Sequence, residues 1–255
     1  MILTNYLESK LADLNVQEFD ILYVYSDFRE LGKYKPAKQS KQQFLQQIIE
    51  VLLKNVGMLI TPTFTYTTSG IFEVKSTPTR IGALNAHFLQ HSSVERSEHP
   101  LFSYAAIGER SNLIKNIGKS AFGIDSIFER LLSRKAAFLY IGRPVRLGNT
   151  MIHFVEQLNK VNYRFEKLFE TKVYDDKKFI GSNYSAFVRK KDNLKNSYEF
   201  SFEKATEFLI QEKLIRQMWI TNEFSNLSLI PYDELFEKLN SLIKEDSSIF
   251  LKPPV

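Results

Sequence analysis

The chain has 255 residues, 44% of them hydrophobic, and carries 34 Lys and Arg against 29 Asp and Glu, for a formal charge of +5. Such a length buries a sizeable core as one large domain or two intimate lobes. With no cysteine, disulfides, thiolate metal sites and a sulfur nucleophile are excluded, which fits a reducing cytoplasm.

The first segment, MILTNYLESKLADL, sets Glu8, Lys10 and Asp13 among apolar positions and reads as an amphipathic helix, not a signal peptide. FDILYVYS (19–26) is a β-branched and aromatic run of strand length that delivers Ser26 and Asp27 to its carboxyl end. Ser40 with Gln43 forms a capping-box pattern, and Phe44, Ile48, Val51 and Leu52 continue a helical stripe that stops near Gly57. MLIT (58–61) is a second strand. Strand, loop, helix, strand is the order of a βαβ unit, so the two strands are expected to be parallel, with ligand groups gathering at their ends. Thr61-Pro62-Thr63 lies at the second end. Residues 62–82 form a long Thr-, Ser- and Pro-rich loop of the kind that lines sites. A short helix around Ala83 to Gln90, the polar SSVERSEHP, a buried strand LFSYAAIG, a helix SIFERLL and a strand AAFLYIG follow.

Downstream of the segment 147–164, FEKLFETKVY and KKFIGSNYSAFVRK bracket Asp175-Asp176 as a hairpin. FEKATEFLIQEKLI is a helix, MWITN and LSLIP a short strand pair, and YDELFEKLNSLIKE a closing amphipathic helix. No repeat, linker or apolar run of membrane-spanning length is present. The expected fold is α/β: a layered mixed sheet flanked by helices, with a smaller C-terminal α+β subdomain. Residues 1–165 would form the α/β core, and 166–255 the subdomain packed on it.

The positive charge is scattered. Its densest stretch, Arg189, Lys190, Lys191 and Lys195, is interrupted by Asp192 and reads as solvated surface more readily than as a nucleic-acid platform. The ten glycines form no GxGxxG or GxxxxGK loop, and no GxSxG elbow occurs. His87 and His91 stand at i and i+4 but lack a third ligand, so no metal site is expected. The informative segment is LGNTMIHFVEQLNKVNYR (147–164). It puts His153 on the first turn of a helix with Glu156 three residues on, the spacing at which a carboxylate steadies an imidazole and supports a general base. An ordinary surface or core pair has the same spacing.

Three separated segments, TPTFTY (61–66), RSEHPLFSYAAIG (96–108) and GNTMIHFVE with NYR (148–164), resemble in order and spacing the blocks of the aminoglycoside 3-N-acetyltransferase family. There they run approximately MPTxTY, RSxHPxxSxxAxG and NTxxHxxE followed by a Tyr-Arg pair. The resemblance, which also takes in Ser26 and the turn from Phe122-Gly123 to Ser126, covers most of residues 19–165. It implies acetyl-coenzyme A dependent transfer to a primary amine of a sugar, with His153 as catalytic base and Glu156 either orienting it or holding the amine. It assigns Ser26, Thr63, Ser103 and Ser126 to coenzyme A and Tyr66, Arg96 and Asn149 to the acceptor side, with Arg96 and His99 also bracing the site. Two positions depart from the pattern: Tyr25 stands where a histidine is common, and Asp27 where a second serine or another small polar residue is common. The C-terminal region looks like the branch associated with surface-polysaccharide synthesis, so a nucleotide-linked amino sugar is the expected acceptor. An aminoglycoside acceptor with antibiotic resistance, or a non-catalytic coenzyme-A-fold binding protein, are the alternatives. The resemblance thus makes 1–165 the acetyl-coenzyme A-binding and catalytic core and has 166–255 contribute to the acceptor site; the expected partners are the amino-sugar acceptor and coenzyme A, with a homodimer left open.

Overall fold

A computed structural model of the chain describes residues 3–31, 35–36, 38–190, 199–219 and 226–252. Lys191, Asp192 and Lys195 of the basic stretch, and the end of the MWITN strand, lie outside the described residues. Helix α1 (Leu3–Asp13) leads into β1 (Ile21–Ser26), the short α2 (Phe28–Leu31), α3 (Lys41–Leu53) and β2 (Met58–Pro62). β3 (Ile71–Glu73), α4 (Ala83–Phe88), β4 (Glu95–Arg96), β5 (Tyr104–Gly108), α5 (Ile127–Leu131), β6 (Ala136–Ile141) and α6 (Met151–Leu158) follow. The last third holds β7 (Arg164–Phe169), β8 (Lys172–Asp175), β9 (Lys178–Gly181), β10 (Tyr184–Arg189), α7 (Glu203–Gln211), β11 (Arg216–Trp219), β12 (Asn226–Pro231) and α8 (Tyr232–Glu245). None of these helices is long and apolar enough to cross a membrane.

Seven strands form one mixed sheet in the order β11-β12-β6-β1-β2-β5-β4. β1 runs parallel to both β2 and β6, as the βαβ order predicts, while β5 and β12 pair antiparallel on either side. The capping box forms as expected: Ser40 Oγ accepts from the Gln43 N–H at 3.1 Å, and the Ser40 N–H donates to Gln43 Oε1 at 2.9 Å, so α3 begins there. Strand alternation sends Ile21, Tyr23 and Tyr25 to one face and Leu22 and Val24 to the other. The first face packs on α5, α6, α7 and α8, the second on α1, α3 and α4, which makes three layers.

The single hairpin expected around Asp175-Asp176 resolves into two pairings. β8 and β9 turn back at Asp176 and Lys177, both with positive φ, whereas β7 pairs with β10. The long loop 62–82 is not wholly irregular: its β3 runs parallel to β8, tying the loop to the C-terminal third. β11 and β12 extend the main sheet through β6, so strands from residues 166–255 are shared between that sheet and two small ones.

One buried ring ties these parts together. His99 Nδ1 accepts from the N–H groups of Leu101 and Phe102, both at 3.2 Å, and Nε2–H donates to the Ser185 carbonyl of β10 at 2.9 Å. Burial pushes its pKa from the ordinary 6.5 down to about 4. The unfolded chain therefore binds the extra proton first. Stability tied to His99 is complete above pH 6.5 and is lost as pH falls toward 4, by roughly 3 kcal/mol in total. Urea denaturation of wild type and His99→Gln should show the stability gap between them narrowing as pH falls from 7 to 4.5; a constant gap would exclude this titration.

Candidate active site

A cleft enclosing about 650 Å³ opens at the carboxyl ends of β1 and β2 and is lined by, among others, Tyr25, Ser26, Tyr66, Arg143, Asn149, Thr150, His153, Arg164, Arg189 and Phe200. Parallel strands end there and their next residues turn toward ligand space. The GNT segment ahead of α6 is built into that end. Gly148 has φ 68°, and a Cβ on it would stand 2.8 Å from the Phe200 ring and 3.0 Å from Ile152 Cδ1, so only glycine fits. Asn149 Oδ1 accepts the Met151 N–H at 3.0 Å while its Nδ2 donates to the Tyr140 hydroxyl at 2.7 Å. The Thr150 N–H donates to the Tyr25 hydroxyl at 3.1 Å. The start of α6 is thereby bonded to β6 through Tyr140 and to β1 through Tyr25.

His153 follows one turn later, with its side chain 24% exposed to the cleft and the Phe122 ring edge-on at 5.1 Å. Its Nδ1 lies 2.8 Å from Glu156 Oε2. Glu156 is fully buried: Oε1 accepts from the Tyr163 hydroxyl at 2.9 Å, and Arg164 Nε approaches Oε2 to 2.7 Å as a charge contact. Arg164 is anchored in turn by donating from Nη1 to the Phe187 carbonyl of β10 at 3.0 Å. Burial raises the Glu156 pKa, but the hydrogen bond and charge of His153, the Arg164 guanidinium and the Tyr163 hydroxyl outweigh it, and the carboxyl sits below its ordinary value. For His153 desolvation dominates over the carboxylate, so its pKa lies below 6.5. At neutral pH the pair is thus a neutral imidazole on a carboxylate. With Nδ1–H donating to Glu156, Nε2 keeps its lone pair for a proton from the cleft.

Of the residues assigned from sequence, the fold gathers Ser26, Tyr66, Asn149 and His153 around the cleft, with Glu156 directly behind. Tyr66 is half-exposed and edge-on to Phe64 and Phe102, each at 5.9 Å. Thr63, Ser103, Ser126 and Arg96, assigned to the cofactor and the substrate, are not among the residues that line it. Thr63 and Ser103 are fully buried and bonded to each other at 3.2 Å, and Ser103 Oγ also donates to the Thr63 carbonyl at 2.8 Å. Ser126, equally buried, caps α5 by accepting from the Glu129 N–H. Arg96 is buried over the Phe72 ring and donates to the carbonyls of Val74, Thr77 and Thr63 and to Ser103 Oγ. Burial lowers its pKa to about 10, and the side chain serves to pin the loop 62–82. The bracing role read for Arg96 and His99 is the one their contacts fit.

Arg143 was missed. It stands two residues past the end of β6, lies over the Tyr25 ring with 5.8 Å to the centroid, and donates to the carbonyls of Leu147 and Gly148, both at 3.1 Å. The strand-end rule applied to AAFLYIG would have found it. Phe200 carried no such signal, because it reaches the cleft from a segment distant in sequence.

A carboxylate-backed histidine on α6 thus faces a cleft at the strand ends of a three-layer α/β fold. A family model described as aminoglycoside 3-N-acetyltransferase matches residues 24–243, and the chain belongs to that family. Aminoglycoside acetyltransferase AAC(3)-IVa, as the apoenzyme, is 22% identical with a TM-score of 0.74, over 98% of this chain and 92% of that one. AAC(3)-IIb is 16% identical with a TM-score of 0.74 over 98% of both chains, and the YokD protein from Bacillus subtilis 16% identical with a TM-score of 0.74 over 95% and 99%. No curated protein matches by sequence.

Proposed function

We propose that the protein transfers the acetyl group of acetyl-coenzyme A to a primary amine of an amino sugar, by direct attack with His153 as general base. The observation that carries this is His153 in the cleft with its Nδ1 held 2.8 Å from Glu156 Oε2, which leaves Nε2 for the acceptor's proton. An amine must shed a proton to attack a thioester, while the thioester needs no activation by a protein nucleophile. Glu156 orients His153; its burial and its three partners leave no reach to the acceptor's amine.

Acetyl-coenzyme A needs cations for its phosphates and a channel for its arm. A second cavity of about 580 Å³ shares Ser26 and Gly82 with the cleft and is lined by Arg29, Lys35 and Lys41. Asp27, on the same wall, is paired with Arg29, whose hydrogen bonds hold its carboxyl below the ordinary range. Ser26 thus stands between a basic cavity suited to phosphates and the histidine, consistent with its reading as a cofactor contact. The supply of acetyl-coenzyme A and the lack of cysteine both suit a reaction in the cytoplasm.

For the acceptor, an aminoglycoside is the reading with the firmer support: AAC(3)-IVa variants have been solved with a gentamicin and with apramycin, and AAC-VIa with sisomicin. A nucleotide-linked amino sugar is the second reading. In its favour, the cleft is lined by Arg143, Arg164 and Arg189, and none of the described lining residues is Asp or Glu, a surface that suits phosphates better than a polycation. Thiol release from acetyl-coenzyme A with gentamicin, sisomicin and a uridine-diphosphate-linked amino sugar, each at low and high salt, separates the two. Turnover of the drugs alone establishes the first reading, turnover of the nucleotide sugar alone the second, and no release with any amine sinks the transferase reading.

A further inference from the structure

The structure assigns to the Thr150 hydroxyl, resting on the acetyltransferase reading above, a catalytic part: it donates a hydrogen bond to the thioester carbonyl oxygen as that oxygen takes up negative charge. Thr150 and Tyr25 line the cleft together with His153. Thr150 stands three residues before His153 with helical φ −77° and ψ −11°, so both side chains leave one face of the helix. A threonine here would ordinarily serve as the helix cap. Its hydroxyl makes no capping bond, because Asn149 Oδ1 already takes the Met151 N–H.

What the hydroxyl does instead is set by Tyr25. The phenol oxygen accepts the Thr150 N–H at 3.1 Å and lies 2.7 Å from Thr150 Oγ1. A phenol is the stronger acid and its oxygen the poorer acceptor, so the Tyr25 O–H donates to Thr150 Oγ1. Burial raises the Tyr25 pKa, which keeps that proton in place through the physiological range. In the free protein the Thr150 proton has the buried Tyr23 and Tyr104 hydroxyls as neighbours; the thioester oxygen draws it outward as it becomes charged, because an anionic oxygen is a stronger acceptor than a neutral phenol.

The chemistry balances. The acceptor's neutral amine forms the new C–N bond, and the carbonyl π electrons move to oxygen, where the Thr150 O–H meets the charge. His153 Nε2 takes the surplus proton from nitrogen. As the C=O bond re-forms the C–S bond breaks, and the imidazolium returns the proton to sulfur, giving the amide and free coenzyme A. Thr150 is unchanged at the end.

The test uses Thr150→Val, which removes the hydroxyl at nearly constant volume, and Thr150→Ser, which restores it. S-acetonyl-coenzyme A carries a ketone in place of the thioester and cannot be cleaved. With its carbonyl labelled with ¹³C, the infrared band of the bound analogue should lie lower in wild type and Thr150→Ser than in Thr150→Val, because a hydrogen bond weakens the C=O stretch. In turnover, Thr150→Val should lose about 10²–10³-fold in kcat with KM for acetyl-coenzyme A little changed and the acid limb of the pH profile unmoved, and Thr150→Ser should recover most of the loss. An identical band and unchanged kcat in Thr150→Val overturn the assignment, and would mean that the hydroxyl turns inward to the buried, unpartnered Tyr23 and Tyr104 hydroxyls. If calorimetry shows that wild type binds no coenzyme A, the acetyltransferase reading fails first and this assignment with it.

Discussion

His153→Asn is expected to lower kcat about 10³-fold while leaving folding intact. The asparagine amide can still donate to Glu156, so the buried carboxylate keeps a partner, but nothing at that position can accept the amine's proton. The pH dependence checks the cause. Desolvation holds the His153 pKa below 6.5 against the raising effect of Glu156, so kcat/KM of wild type should rise with pH through a midpoint below 6.5 and then level. In His153→Asn that limb should vanish. Thiol release measured from pH 5 to 8 reads both effects, and normal turnover in the variant would remove His153 from the mechanism.

Much of this site was legible because its signals are local. The capping box at Ser40, the βαβ order around β1 and β2, and the i, i+3 spacing of His153 and Glu156 each depend on a few consecutive residues, and each appears as read. Thr63, Ser103, Ser126 and Arg96, read from sequence as cofactor and substrate contacts, are buried and bonded within the chain instead of lining the cleft, and there is a physical reason why the sequence does not show this. A small polar residue in a polar motif satisfies a buried backbone group as readily as a ligand, and the pattern of residue types is the same in both cases. Only the three-dimensional position of the loop 62–82, pinned through β3 to β8, shows that Arg96 is saturated by carbonyls of its own chain. Phe200 and the Arg189 side of the cleft depend on contacts across long sequence separations, which no local pattern encodes.

Glu156→Ala should be the most disruptive single change near the site, costing about 3–5 kcal/mol of stability and a fall in Tm of roughly 10 °C. The carboxylate is fully buried and its removal strips three groups at once: His153 Nδ1–H, the Tyr163 hydroxyl and the Arg164 guanidinium, whose side chain is 6% exposed. Solvating a stranded guanidinium means opening the start of β7, which is paired with β10 and through Ser185 with His99. Glu156→Gln separates charge from packing. Its amide oxygen can face His153 and Arg164 while its NH2 donates to the Tyr163 oxygen, so most of the fold energy should survive. The raising influence of the carboxylate on His153 is lost, however, so the acid limb of kcat/KM must move to lower pH than in wild type, with a smaller kcat because a less basic imidazole takes the proton less readily. Denaturant titration of both variants together with the pH profile of Glu156→Gln decides the matter: a limb that moves to higher pH would show that Glu156 does not act on His153 as its geometry requires.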